Sequence, residues 1–137
     1  MAQSSNTAPT NLDPDNIVGT WRSAAQDSEM EIYKTGNVYS AKMLAGWGND
    51  MYESDGKTPA KDTKNPNPEL RNRQLLNLVF ITDVSYKNGE YTGGKLYMAR
   101  VGKTLKCEMK FEGEKLSMKI HSVIGPFNVT KTWSRIK

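Results

Sequence analysis

Thr104-Leu105-Lys106-Cys107-Glu108-Met109-Lys110-Phe111-Glu112-Gly113-Glu114-Lys115-Leu116-Ser117-Met118-Lys119-Ile120 alternates apolar and polar residues on both sides of a glycine. Successive side chains of a strand point to opposite faces. Leu105, Cys107, Met109 and Phe111 therefore share one face, and Thr104, Lys106, Glu108 and Lys110 share the other. Beyond the turn Glu112-Gly113-Glu114, Leu116, Met118 and Ile120 continue the apolar face. Lys115, Ser117, Lys119 and His121 lie opposite, so His121, the only histidine, is expected to face solvent. The stretch reads as an antiparallel hairpin with one wet face.

Outward from this hairpin the same grammar repeats. From Ile17 onward, short runs rich in Val, Ile, Tyr, Phe and Thr are broken by Gly, Asn or Pro about every ten residues, the spacing of an all-β chain. Eight strands are predicted: 16–25, 29–34, 38–45, 75–84, 90–98, 104–111, 115–122 and 127–136. Lys87-Asn88-Gly89-Glu90 holds the Asn-Gly pair favoured by a tight type I′ turn. Thr35-Gly36-Asn37 is a second short turn, and Gly125-Pro126 breaks the chain before the last strand, since proline cannot donate to a ladder. A meander of eight strands removes its exposed edges by closing on itself, which predicts a single antiparallel up-and-down β-barrel.

One connection is long. Gly46 to Gln74 contains Gly48, Gly56, Pro59, Pro66 and Pro68, and Pro68-Glu69-Leu70-Arg71-Asn72-Arg73 opens with proline at a plausible first helical position. Up-and-down order puts this connection on one rim with Gln26-Asp27-Ser28, Ala99 to Lys103, and Val123 to Pro126. The tight glycine turns share the opposite rim. An eight-stranded barrel encloses room for about one small ligand, and the loop-rich rim is its expected mouth.

The 137 residues suit one domain, here read as a flexible polar tail over 1–15 and a barrel over 16–137. The net charge of +4 comes from lysines scattered along the chain, without the basic block or the ordered basic and aromatic stripe expected of a nucleic-acid binder. Nothing in the composition approaches a membrane helix. A single cysteine excludes an internal disulfide and a thiolate zinc cluster, and a single histidine excludes sites built on two imidazoles. No metal or cofactor is expected. The Ala2-Gln3-Ser4-Ser5 start resembles what remains after an export signal is removed, so a secreted or periplasmic location is expected.

Asn16-Ile17-Val18-Gly19-Thr20-Trp21 resembles the Gly-x-Trp opening of lipocalins, fatty-acid-binding proteins and avidins, and Thr132-Trp133-Ser134-Arg135 resembles their closing strand. The resemblance implies that Arg135 packs across Trp21 as a structural plug. A longer match takes in Gly19-Thr20-Trp21, the run Asp62-Thr63-Lys64-Asn65-Pro66-Asn67-Pro68-Glu69-Leu70-Arg71-Asn72-Arg73, Gly94-Lys95-Leu96-Tyr97, Gly102-Lys103-Thr104 and Trp133. These segments are similar to the bacterial secreted domain-of-unknown-function family 2147, which implies a lipocalin-like (calycin-type) barrel and an exported protein. The sequence departs from that pattern at Met98-Ala99 and at Leu105.

The expected function is non-catalytic: binding or transport of a small, partly apolar ligand, with an acidic amphiphile such as a fatty acid favoured over its neutral alcohol if Lys131 faces inward. The candidate cavity residues are Met30, Met43, Leu78, Met98, Cys107, Met118 and Phe127. Methionine fills irregular cores, yet flexible thioethers also line adaptable pockets, and both roles are open for these positions. Lys131 shares the face of Trp133; if it points into the barrel the cation needs a negative partner, for which a ligand carboxylate or phosphate would serve, whereas a local bulge or a glutamate neighbour would keep it solvated. At the mouth, Asp62 and Asn65 can shape turns, and Arg71 and Arg73 can reach an acidic head group. The alternative function is a protein-binding or inhibitory module acting through the rim loops.

Overall fold

The computed structural model describes residues 13–45, 51–121 and 128–136. Eight strands, β1 (Gly19–Ser23), β2 (Glu29–Thr35), β3 (Val38–Ala45), β4 (Val79–Lys87), β5 (Glu90–Met98), β6 (Lys103–Glu112), β7 (Lys115–His121) and β8 (Asn128–Arg135), close in sequence order into an antiparallel barrel. The fold is lipocalin-like. Closure is short: Trp21, Arg22 and Ser23 pair with Arg135, Ser134 and Trp133. The central hairpin holds the register its alternation requires, with Met109 opposite Met118 and Cys107 opposite Ile120. At the β4–β5 turn, Asn88 and Gly89 both have positive φ (55° and 87°), as a type I′ turn demands.

The largest shifts from the sequence reading are at β1, now 19–23, and β4, now 79–87; the other bounds agree to within one residue. β1 starts at Gly19 because Pro14–Ile17 forms a 3₁₀ turn, capped by the Asp13 carboxylate accepting from the Asp15 N–H at 2.9 Å. Asp13 to Asp15, assigned above to the tail, thus belong to the closed end of the barrel. β4 starts at Val79 because Leu75 and Leu78 are held in a turn, Leu78 N–H to Leu75 carbonyl at 3.1 Å, with Asn77 at positive φ.

The closed end is sealed by aromatic packing. Trp21 is fully buried; its Nε1 donates to the Ile17 carbonyl at 3.0 Å, and its ring lies 6.0 Å from that of Phe111. The Arg135 guanidinium covers the indole at 4.4 Å and donates from Nη1 to the Val18 carbonyl, the cation–π plug expected from sequence. Tyr91 stacks edge-on with Tyr39 and Tyr86, and its hydroxyl donates to the Pro14 carbonyl at 2.6 Å. The Tyr39 hydroxyl donates to Asp15, which lowers the Asp15 pKa, while burial and that carboxylate push the Tyr39 phenol up.

Gly94 on β5 is required by close strand approach. A Cβ there would lie 2.8 Å from Cys107 Sγ, 2.9 Å from Val84 Cγ2 and 3.1 Å from the Cys107 carbonyl. Gly94→Ala is expected to cost about 1–3 kcal/mol through overpacking, measurable as a lower denaturation midpoint. An unchanged midpoint would show that β5 and β6 can separate freely at this point. Cys107 itself is buried, and burial raises its thiol pKa to about 12, so it behaves as an unreactive small hydrophobe.

Candidate functional site

The inward-facing positions near the loop-rich rim leave a cavity of about 500 Å³. Met43 from β3, Leu96 and Met98 from β5, Val129 from β8, and Met51 and Leu75 from the long connection supply its apolar walls. Val129 has the strand parity of Lys131 and Trp133 and pairs with buried Ile120, yet it is 55% exposed. Among the described residues, this inward valine marks where the barrel is open to solvent.

The long connection is built as a folded flap. Antiparallel bridges Tyr52↔Pro59 and Lys61↔Gln74 order it, and Pro68–Leu70 forms a short 3₁₀ turn capped by Asn67. Its centre is Asp62, whose side chain has no exposed surface. One carboxylate oxygen accepts from Arg73 Nε (2.9 Å) and Asn65 Nδ2 (2.8 Å), and the other accepts from the Tyr97 hydroxyl (2.6 Å). Arg73 also lies over the Tyr97 ring at 5.5 Å, and Arg71 Nε donates to the Asn65 carbonyl at 2.7 Å. Burial and Asp62 raise the Tyr97 pKa to about 12, so its hydroxyl stays a donor. Asp62, Asn65, Arg71 and Arg73 therefore form a clasp within the flap and onto β5. The flap also abuts the β5–β6 turn, since a Cβ on Gly102 (φ +68°) would fall 1.9 Å from the Lys64 carbonyl oxygen.

Residues 19–135 match the bacterial family described as "Uncharacterized protein conserved in bacteria (DUF2147)". The chain belongs to this family. Among solved structures, HP1028 of Helicobacter pylori, described as belonging to the lipocalin family, matches with a TM-score of 0.71 and 26% identity. The match covers 88% of this chain and 83% of that one. No curated protein matches the chain.

In this DUF2147 chain the sequence-derived cavity residues divide. Met43 and Met98 line the cavity, whereas Met30, Leu78, Cys107 and Met118 are buried in the core and lie outside its lining. Phe127 falls outside the described residues. Lys131 is inward-facing and mostly buried, but a protein carboxylate already meets it: its Nζ lies 3.1 Å from Asp27 Oδ1 and 5.8 Å from the Trp133 ring centroid. Of the readings open at Lys131, an acidic neighbour is the one found, an aspartate, Asp27, standing where a glutamate was expected. Asp27 also accepts from the Ser23 and Ser28 hydroxyls, and the Ser23 bond, followed by Lys131, lowers its pKa. A carboxylate depressed on folding stabilises the fold above its unfolded pKa and loses that contribution as pH falls through the folded value.

Several lining residues escaped the sequence reading. Leu96 and Val129 were accessible to it through strand parity. Met51, Ala60 and Leu75 lie in irregular chain with no periodicity to mark them. A second, more polar groove of about 640 Å³ runs on the rim between the β1–β2 turn and residues 51–56, lined by Arg22, Gln26, Asp27, Glu29, Tyr52 and Glu53 among others.

Proposed function

We propose that this DUF2147 chain is a non-catalytic carrier or sensor that holds one small, partly apolar ligand in the open half of its barrel, in an exported setting. The observation that carries the reading is the cavity walled by Met43, Met51, Leu75, Leu96, Met98 and Val129, with Val129 inward and solvent-exposed. Its volume lies within the range of small-molecule sites, and its walls are predominantly apolar as such sites usually are. Burial of apolar ligand surface supplies affinity without specific polar contacts, at about 25 cal/mol per Å². The lipocalin-family neighbour supports small-ligand binding in general terms.

The neutral fluorophore N-phenyl-1-naphthylamine tests this directly. Saturable binding with a blue-shifted emission is expected. Val129→Trp, which fills the mouth from a position already exposed, is expected to weaken binding at least about tenfold, a loss of about 1.4 kcal/mol, with the melting temperature unchanged. Absence of saturable binding by the folded chain would remove the carrier reading. It would bring forward the alternative, docking of a protein through the rim groove beside the β1–β2 turn.

A further inference from the structure

Resting on that ligand-binding reading, we infer that the ligand is a single-chain amphiphile with an anionic end, received at the cavity mouth by Lys61 and Lys64 with Arg100 beside them. Every charged residue lining the cavity among the described residues is a cation: Lys61, Lys64 and Arg100. Two pieces of chain, the flap and the β5–β6 turn, bring them together. The Lys61↔Gln74 bridge holds Lys61, the contact of the Lys64 carbonyl with Gly102 holds Lys64, and the turn after β5 carries Arg100.

The carboxylate nearest in sequence cannot neutralise this rim. Asp62 lies between the two lysines in sequence, but its side chain is fully buried and both its oxygens are engaged by Arg73, Asn65 and Tyr97. The clasp thus withdraws the negative charge into the flap and leaves Lys61 and Lys64 exposed above an apolar floor. Lys131 is set apart, since it meets Asp27 and is absent from the lining. A concave site whose walls are apolar and whose charges share one sign raises the local concentration of the opposite charge. At about 30 Å³ for each water-sized group, the volume holds on the order of 15 such groups, which suits one alkyl chain and its head.

The shared chemistry is an anionic oxygen group, carried by either a carboxylate or a phosphate monoester. The test displaces N-phenyl-1-naphthylamine from the full chain with dodecanoate, dodecyl phosphate and dodecanol. At least one anion is expected to displace the probe at about tenfold lower concentration than the alcohol, and the tighter anion identifies the head group. The preference should shrink with added salt, because the lysines are exposed. In the Lys61→Met/Lys64→Met double variant, which keeps both alkyl stems, the preference should disappear while probe binding persists. In Lys131→Met the preference should remain. Equal displacement by anions and alcohol, or a preference that survives the double variant, overturns the inference while leaving the ligand-binding reading intact. Failure of the neutral probe to bind removes both.

Discussion

Trp21→Ala is expected to destabilise the barrel by about 3–5 kcal/mol, the usual cost of truncating a fully buried aromatic side chain. The ring is fully buried against Phe111, its N–H satisfies the Ile17 carbonyl, and its other side is covered by Arg135. Alanine removes the filling of the closed end and strands the guanidinium over a void. For a chain of this size the melting temperature should fall by roughly 10–20 °C. The probe affinity of the molecules that remain folded should be unchanged, because Trp21 does not line the cavity. A melting curve overlying that of the unsubstituted chain would contradict the plug.

Asp62→Ala is expected to have the second largest effect, about 2–4 kcal/mol. The substitution leaves three donors, Arg73 Nε, Asn65 Nδ2 and the Tyr97 hydroxyl, aimed at a site with no acceptor. Stranded buried donors cost about 1–3 kcal/mol each. The Arg73 side chain is 35% exposed and can recover part of that from water. Protease cutting within residues 62–73 should rise in parallel, since the clasp holds the flap to β5. Asp62→Ala combined with Tyr97→Phe should cost less than the sum of the two, as for any pair sharing one bond. Strict additivity, or an Asp62→Ala chain as stable and protease-resistant as the parent, would show that the flap is held elsewhere.

The strands were legible wherever one face is wet and the other dry. The alternation of Leu105, Cys107, Met109 and Phe111, and the Asn88-Gly89 pair, gave both the hairpins and their order. The strand starts at Gly19 and Val79 were misplaced because Ile17, Leu75 and Leu78 are apolar residues buried in turns, and hydrophobicity alone does not distinguish a buried turn from a strand. The site was less legible. Parity on β8 put Lys131 on the face of Trp133, but what would meet it depended on two chain segments 104 residues apart. Likewise the Asp62 to Arg73 run announced a cluster of polar residues at the mouth. Whether those side chains bind a guest or one another is set by Tyr97, which the run does not contain.

The packing of Pro14 and Asp15 against Tyr91 and Tyr39, together with the closure of Trp21 onto Arg135, places Asp13 and Ile136, the two described ends of the chain, at the same pole. The cavity opens at the other pole. The described chain therefore both begins and finishes on the sealed side, so that a guest can enter and leave the opening without either of these two points having to move.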